Sequence, residues 1–199
     1  MAILRQVLRD AAQMALRQHG YEVAVQSAPG AAPGARLTAV KGETKLSVAV
    51  RTSQRREVGL VRAETGRWKT VSRVDQILVA VPSKPSKSSD RIEVVCFDSK
   101  TLIEAFDDHT RKLDLTIEPE VPIFVPLDAV RSKGSNAEGS GLKASALWSD
   151  EFEMNALGRQ SKARQLDQFI ARVTRDFAEL VGVDAERVIV DFRISSKTE

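Results

Sequence analysis

The sequence predicts an α/β protein, with a mixed central sheet flanked by helices over residues 1–130 and a C-terminal helix–strand extension beyond. Three observations predict it. Stretches with apolar residues at three-and-four spacing are interspersed with short valine-rich and isoleucine-rich runs, the separate signatures of helix and strand. Glycine, proline and serine punctuate the boundaries between them. The hydrophobic share of 42% and the charged share of 29% are those of a globular chain, and 199 residues suffice for one ordinary domain with an appendage or two small ones.

Taken in order, Leu4, Val7, Leu8, Ala11, Ala12, Ala15 and Leu16 form the apolar stripe of a helix. Arg5, Arg9 and Arg17 lie mostly off that stripe, and Gly20 ends the helix. Residues 21–26 read as a short strand and 27–34 as a loop with two prolines and two glycines. Two strands, 37–40 and 45–52, are joined by the turn-like Lys41-Gly42-Glu43-Thr44, consistent with a hairpin. A helix is predicted over 67–75, an apolar strand over 76–81, a polar loop over 82–90 and a strand over 92–97. A helix over 100–113 and a strand over 121–127 follow. Residues 131–146 turn to Gly, Ser, Lys and Asn, so 131–148 is assigned as a flexible linker or loop and 149–199 as the extension. There Leu166, Phe169, Ile170, Val173, Phe177, Leu180 and Val181 share one helical face, closed by Gly182. Residues 187–194 alternate Val188, Val190, Phe192 and Ile194 against Asp191 and Arg193, as a half-buried strand does. The helix carries more apolar surface than a lone helix–strand unit can cover, which points to packing on the first domain or to a homodimer.

Several classes of chemistry find no support. Cys96 is the single cysteine and lies inside an apolar run, so it is expected to be a buried core thiol. His19 and His109 stand far apart, with no metal-ligand spacing between them. No Gly-x-Ser-x-Gly elbow, P-loop or dinucleotide fingerprint occurs, and Gly139-Ser140-Gly141 has no strand before it. No cofactor or metal is expected. No apolar run approaches the length of a membrane span, and charges occupy the start where a secretory signal has its apolar region. The expected location is therefore cytoplasmic, without membrane contact. Trp68 and Trp148 read as core or interface anchors.

The net charge of +3 is unevenly spread. Between positions 51 and 73 the basic residues are Arg51, Arg55, Arg56, Arg62, Arg67, Lys69 and Arg73, against only Glu57 and Glu64. Such a segment is the footprint of a polyanion partner, and it is equally the composition of a solvated face.

The order helix, strand, loop, hairpin, helix, strand over residues 1–81 resembles the core of PD-(D/E)XK nucleases, the restriction-endonuclease-like fold, in its Mrr-like and Holliday-junction-resolvase-like branches. Three pieces carry the likeness: Gln18-His19-Gly20-Tyr21-Glu22-Val23 at the first helix end, Gly34-Ala35-Arg36-Leu37 where that family has Gly-Ala-Asp-Leu, and Val48-Ala49-Val50-Arg51-Thr52 where it has Val-Glu-Val-Lys-Thr. The family's chemistry needs two carboxylates and a lysine around Mg²⁺, the metal activating water and stabilising charge on the phosphate. The resemblance puts Arg36 and Ala49 at the positions of the acids and Arg51 at that of the lysine. Two guanidinium groups repel a cation, and neither gives up its proton near neutral pH.

The resemblance thus implies an inactive active site that binds without cutting. The expected function is non-catalytic nucleic-acid binding, to DNA because the family acts on DNA. Arg36, Arg51, Arg55 and Arg56 are the expected phosphate contacts, and Arg67, Lys69 and Arg73 an outer ring. Two alternatives stay open: a structural subunit that binds an acidic partner protein, and a cryptic nuclease in which Glu22 or Glu43 rebuilds a metal site.

Overall fold

The computed structural model describes residues 5–26, 34–84, 89–112, 118–128 and 141–188. The chain divides into two compact units, Met1–Leu157 and Gly158–Glu199.

The first unit opens with helix α1 (Arg5–Gln18), which buries Leu8, Ala11, Ala12, Ala15 and Leu16. Gly20, at φ 83°, closes it: the Tyr21 amide bonds to the Leu16 carbonyl at 3.0 Å and the Gly20 amide to Arg17 at 2.9 Å. That is a Schellman ending, for which a residue without Cβ is favoured. Strands β1 (Glu22–Val25), β2 (Arg36–Lys41) and β3 (Thr44–Thr52) form an antiparallel meander with its tight turn at Gly42. Strand β4 (Glu57–Val61) leaves this sheet, and the chain returns as β5 (Gln76–Pro82), parallel to β3. Strand β6 (Arg91–Asp98) runs antiparallel to β5. Asp98 then caps helix α2 (Ser99–Lys112), its Oδ1 accepting from the Lys100 and Thr101 amides at 2.9 and 3.1 Å. Strand β7 (Pro122–Pro126) pairs with β4 in a separate two-stranded sheet. Strand β8 (Trp148–Glu153) completes the main sheet, in the order β1-β2-β3-β5-β6-β8.

Both faces of this six-stranded mixed sheet are covered. Alternation sends Val48 and Val50 of β3, Leu78 and Ala80 of β5, and Ile92, Val94 and Cys96 of β6 against α1. Ala49, Ile77, Val79, Val95 and Phe97 face the opposite way, onto Leu102 and Phe106 of α2 and onto Val58, Leu60 and Val125 of the small sheet. With both faces buried, β5 and β6 read as near-continuous apolar runs. The Cys96 thiol is fully buried, as its sequence context predicts.

Three features depart from the sequence expectations. Residues 67–75 form no helix beyond a single 3₁₀ turn, Val71–Arg73. Trp68, Val71 and Val74 are all buried, and their spacing of three is that of a 3₁₀ turn, which the pattern alone does not separate from a helix face. Second, Trp148–Glu153 belongs to the central sheet of the first unit rather than to a C-terminal extension, and the division between the units lies after Leu157. Third, the end of the stretch assigned as linker is packed: residues Leu142–Ser145 form a 3₁₀ turn, Leu142 is buried, and the Lys143 amide bonds to the Leu127 carbonyl at 2.9 Å. Residues 131–140 of that stretch lie outside the described residues.

Helix α3 (Met154–Val181) runs across the unit boundary and is closed by Gly182 at φ 70°, with the Val183 amide on the Ala178 carbonyl at 3.0 Å. In the second unit Ala178 is buried, whereas Phe177, Leu180 and Val181 of the same helix are exposed. The strand expected over 187–194 lies outside the described residues from position 189 onward, and Ala185–Arg187 form a 3₁₀ turn. Among the described residues no helix is long and apolar enough to cross a membrane.

Candidate functional site

The β2–β3 register sets Arg36 directly opposite Ala49. Arg51 lies two residues beyond Ala49, so it shares that face of the sheet and is the diagonal neighbour of Arg36. The two guanidinium groups therefore stand on one face at one end of the hairpin. Burial lowers the Arg51 pKa, and the positive charge of Arg36 lowers it further. The Arg51 Nε is buried and has no hydrogen-bond partner among the described residues.

Beside them the chain after β4 folds back on itself. The Lys69 amide bonds to the Val61 carbonyl at 2.8 Å, the Ala63 amide to the Arg67 carbonyl at 2.8 Å, and Gly66 at φ 77° makes the turn. Alternation along this return segment sets Arg67 and Lys69 on one side and Trp68 on the other. Trp68 is buried, donates from its Nε1 to Asp107 Oδ1 at 3.0 Å, and meets the Phe106 ring edge-on at 5.3 Å. It is thus the anchor that holds the hairpin down, with Arg62 stacked over its ring at 5.2 Å.

Between this hairpin and β2 is a cavity of about 660 Å³ lined by Arg36, Ala63, Thr65, Arg67, Trp68, Lys69, Thr70, Ser72 and Arg73. Among the described residues no carboxylate lines it. Lys69 pairs with Glu120, whereas Arg36, Arg67 and Arg73 have no side-chain hydrogen bond or ion pair with any described residue. Thr70, in the cavity wall, sits at φ 71°, a left-handed conformation that a β-branched residue adopts at a cost of about 1–3 kcal/mol.

Of the residues singled out from the sequence, the fold brings Arg36, Arg67, Lys69 and Arg73 to one cavity and sets Arg51 next to Arg36. Arg55 is exposed on the turn after β3 and is not among the lining residues.

Arg56 is a correction. Its side chain is 7% exposed and turns inward. Its Nε donates to Asp128 Oδ2 at 2.6 Å, its Nη2 to Asp128 Oδ1 at 2.8 Å and Glu93 Oε2 at 2.7 Å, and its Nη1 to the Pro82 carbonyl at 2.8 Å. A guanidinium so occupied has no face left for a phosphate. The hydrogen bond to Asp128 holds the Arg56 pKa above its ordinary value, against the opposing effect of burial. Glu93, 2% exposed, is the acid that sequence reasoning missed. Burial pushes its carboxyl up, but hydrogen bonds from Lys143, Ser149 and Arg56 outweigh this and bring it below the usual carboxylate range. The signal was there: an acid amid the apolar run of β6 needs a cation partner.

Neither Glu22 nor Glu43 reaches this place. Glu22 pairs in register with Val40, and Glu43 lies in the β2–β3 turn. Both are towards the far end of β2 from Arg36, Glu22 four residues or roughly 13 Å along the strand and Glu43 beyond Lys41. Among the described residues no group of three or more His, Cys, Asp or Glu could hold a metal ion. His19 is engaged elsewhere, its Nε2 2.9 Å from Asp150 Oδ2 and its ring stacked on Trp148 at 4.0 Å.

Compared with protein-family models, curated proteins and solved structures, the chain matches none.

Proposed function

We propose that this chain is a non-catalytic nucleic-acid-binding protein, built on a degenerate PD-(D/E)XK-like core and acting through phosphate contacts. The observation that carries this is the convergence of Arg36, Arg67, Arg73 and Lys69 on one cavity with no carboxylate among the described residues of its lining. Arginine presents a planar fork of donors that suits phosphate oxygens, and three of these guanidinium groups have no competing partner among the described residues. The order of α1, the β1–β2–β3 meander and a crossover to β5 parallel to β3 agrees with that resemblance, but the crossover carries β4 and a single 3₁₀ turn where the resemblance has a helix. The placing of Arg36, Ala49 and Arg51 on one face agrees with it too. With arginines where that family has an acid and a lysine, and Glu22 and Glu43 at the wrong end of β2, the same place binds phosphate without metal-dependent cutting.

The test is a salt titration of binding to labelled duplex and single-stranded DNA. Each neutralised phosphate contributes about 0.9 to the log–log slope on duplex. Replacing Arg36, Arg67 and Arg73 together with Ala should lower the slope by roughly three units, similarly for unrelated sequences. Absence of binding to any strand at low salt sinks the proposal, and cleavage in Mg²⁺ or Mn²⁺ sinks its non-catalytic half.

A second role, as a subunit meeting a protein partner or a second copy of itself, is favoured by the exposed Phe177, Leu180 and Val181 of α3. Sedimentation across a concentration series should show self-association that Phe177→Asp abolishes. A monomer at every concentration would remove the dimer.

A further inference from the structure

We infer that the cavity beside β2 receives the terminal phosphate of a nucleic-acid strand, not an internal stretch of its backbone. The inference rests on the nucleic-acid function proposed above and names what the site recognises.

Shape is the first ground. Duplex backbone runs along an open track, but here the cations surround a recess of about 660 Å³. That volume lies within the roughly 300–1,000 Å³ of sites that enclose small molecules. It is room for an end nucleotide, with the rest of the strand leaving through the mouth.

Charge is the second. An internal phosphodiester carries one negative charge, whereas a terminal monoester carries about −1.5 to −2 near neutral pH and offers three acceptor oxygens. The lining supplies Arg36, Arg67 and Arg73 without partners among the described residues, and Lys69 shared with Glu120. That is more positive charge than a single diester neutralises, and a dianion matches it more closely. The absence of any carboxylate among the described lining residues matters most for the more highly charged ligand, which an acid would repel more strongly.

The third ground lies behind the wall. Arg51, diagonal to Arg36 on the same face, keeps a buried Nε–H without an acceptor among the described residues. A buried donor left unmade is costly, and like charges held side by side repel. Burial and the neighbouring Arg36 both depress the Arg51 pKa, so an anion against Arg36 relieves the pair. A dianion relieves it further than a monoanion does.

The experiment compares one oligonucleotide sequence carrying a 5′-phosphate, a 3′-phosphate, hydroxyls at both ends, or no ends because it is circular, each bound to the full chain. A phosphorylated end should bind about tenfold or more tightly than the hydroxyl-ended and circular forms, the scale of a charge-assisted contact. A nucleoside monophosphate should compete with it. Arg73→Ala, at an exposed position, and Arg36→Ala should erase most of that preference, while Arg55→Ala, outside the cavity, should leave it intact. Equal affinity for all four strands overturns the inference and leaves nucleic-acid binding standing. No binding of any strand overturns the functional proposal itself. Binding of the free monophosphate but of none of the four strands overturns both, since the ligand would then be a small molecule.

Discussion

Arg56→Met separates a structural arginine from a ligand-binding one. The substitution keeps an unbranched four-atom stem and removes the donors to Asp128, Glu93 and the Pro82 carbonyl. Breaking a buried ion pair costs about 3–5 kcal/mol, because the remaining charge is left in a poor solvent. Two facts pull the value to the lower end. Asp128 is 49% exposed and recovers water, and Glu93 keeps Lys143 and Ser149. About 3 kcal/mol, at roughly 2–4 °C per kcal/mol for a unit of this size, is a drop in Tm of about 6–12 °C. Trp68 and Trp148, the only two tryptophans, both lie in the first unit, so their fluorescence follows its unfolding in urea and on heating. Adding Glu93→Gln removes the stranded charge, so the double variant should fall short of the summed single losses. The backbone gives a second check. Arg56 sits at φ 55°, where glycine is at ease, so Arg56→Gly should be about 1 kcal/mol more stable than Arg56→Ala. Through all of this the salt slope of nucleic-acid binding should not change. A variant that melts like the parent and loses about one unit of slope would refute the inward-facing arginine and restore it as a phosphate contact.

The same cluster sets an acid limit. Glu93 and Asp128 both have carboxyls held below their ordinary values of 4.5 and 3.8, so they stabilise the fold above those values and the contribution is lost as pH falls through the depressed ones. The urea midpoint should hold down to about pH 4.5 and fall below it, more shallowly in Arg56→Met; equal acid sensitivity in both proteins would refute the linkage. Cys96 is fully buried and its thiol is pushed up to about 12, chiefly by burial, so at pH 8 it should react with a thiol reagent only as fast as the first unit opens. Stoichiometric labelling of the folded protein within seconds would contradict this. A Cβ on Gly141 would come within 2.2 Å of the Asp128 carbonyl carbon and 2.3 Å of the Leu127 oxygen, so Gly141→Ala should cost about 1–3 kcal/mol. No loss in urea denaturation would mean that the turn carrying Leu142 and Lys143 is not docked on this core.

The sequence made legible those features that depend on alternation and on local turn chemistry. The β2–β3 hairpin follows from Gly42 and from Val48 and Val50 taking one face while Ala49 takes the other. The place of Arg36 and Arg51 on one face follows from the same alternation. What stayed hidden depends on contacts between residues far apart in the chain. Arg55 and Arg56 are chemically identical and adjacent, yet one is exposed and the other buried. What decides between them is a pair of acids, buried Glu93 at a separation of 37 residues and half-exposed Asp128 at 72. No period in a sequence encodes such a pairing. The hairpin that carries Arg67 and Lys69 was obscured for a similar reason. Trp68, Val71 and Val74 have the spacing of a helix face, but the Trp68 indole is tied to Asp107, and the chain crosses Thr70 at a positive φ that no helix permits. That tether turns a basic run, read from sequence as an outer ring, into the wall of a cavity. Arg67, Lys69 and Arg73, picked out by charge, and Arg36, picked out by the resemblance, then share one recess because two hairpins are held side by side by the core beneath them. A basic segment on an open surface would give the same composition without enclosure. The choice between a merely soluble face and a phosphate site therefore rests on Trp68. Trp68→Leu keeps every cation but removes the indole donor to Asp107, so it should weaken strand binding while the charge of the protein is unchanged. Unaltered binding in a folded Trp68→Leu protein would mean that the cations act as a diffuse surface and that the recess has no part in recognition.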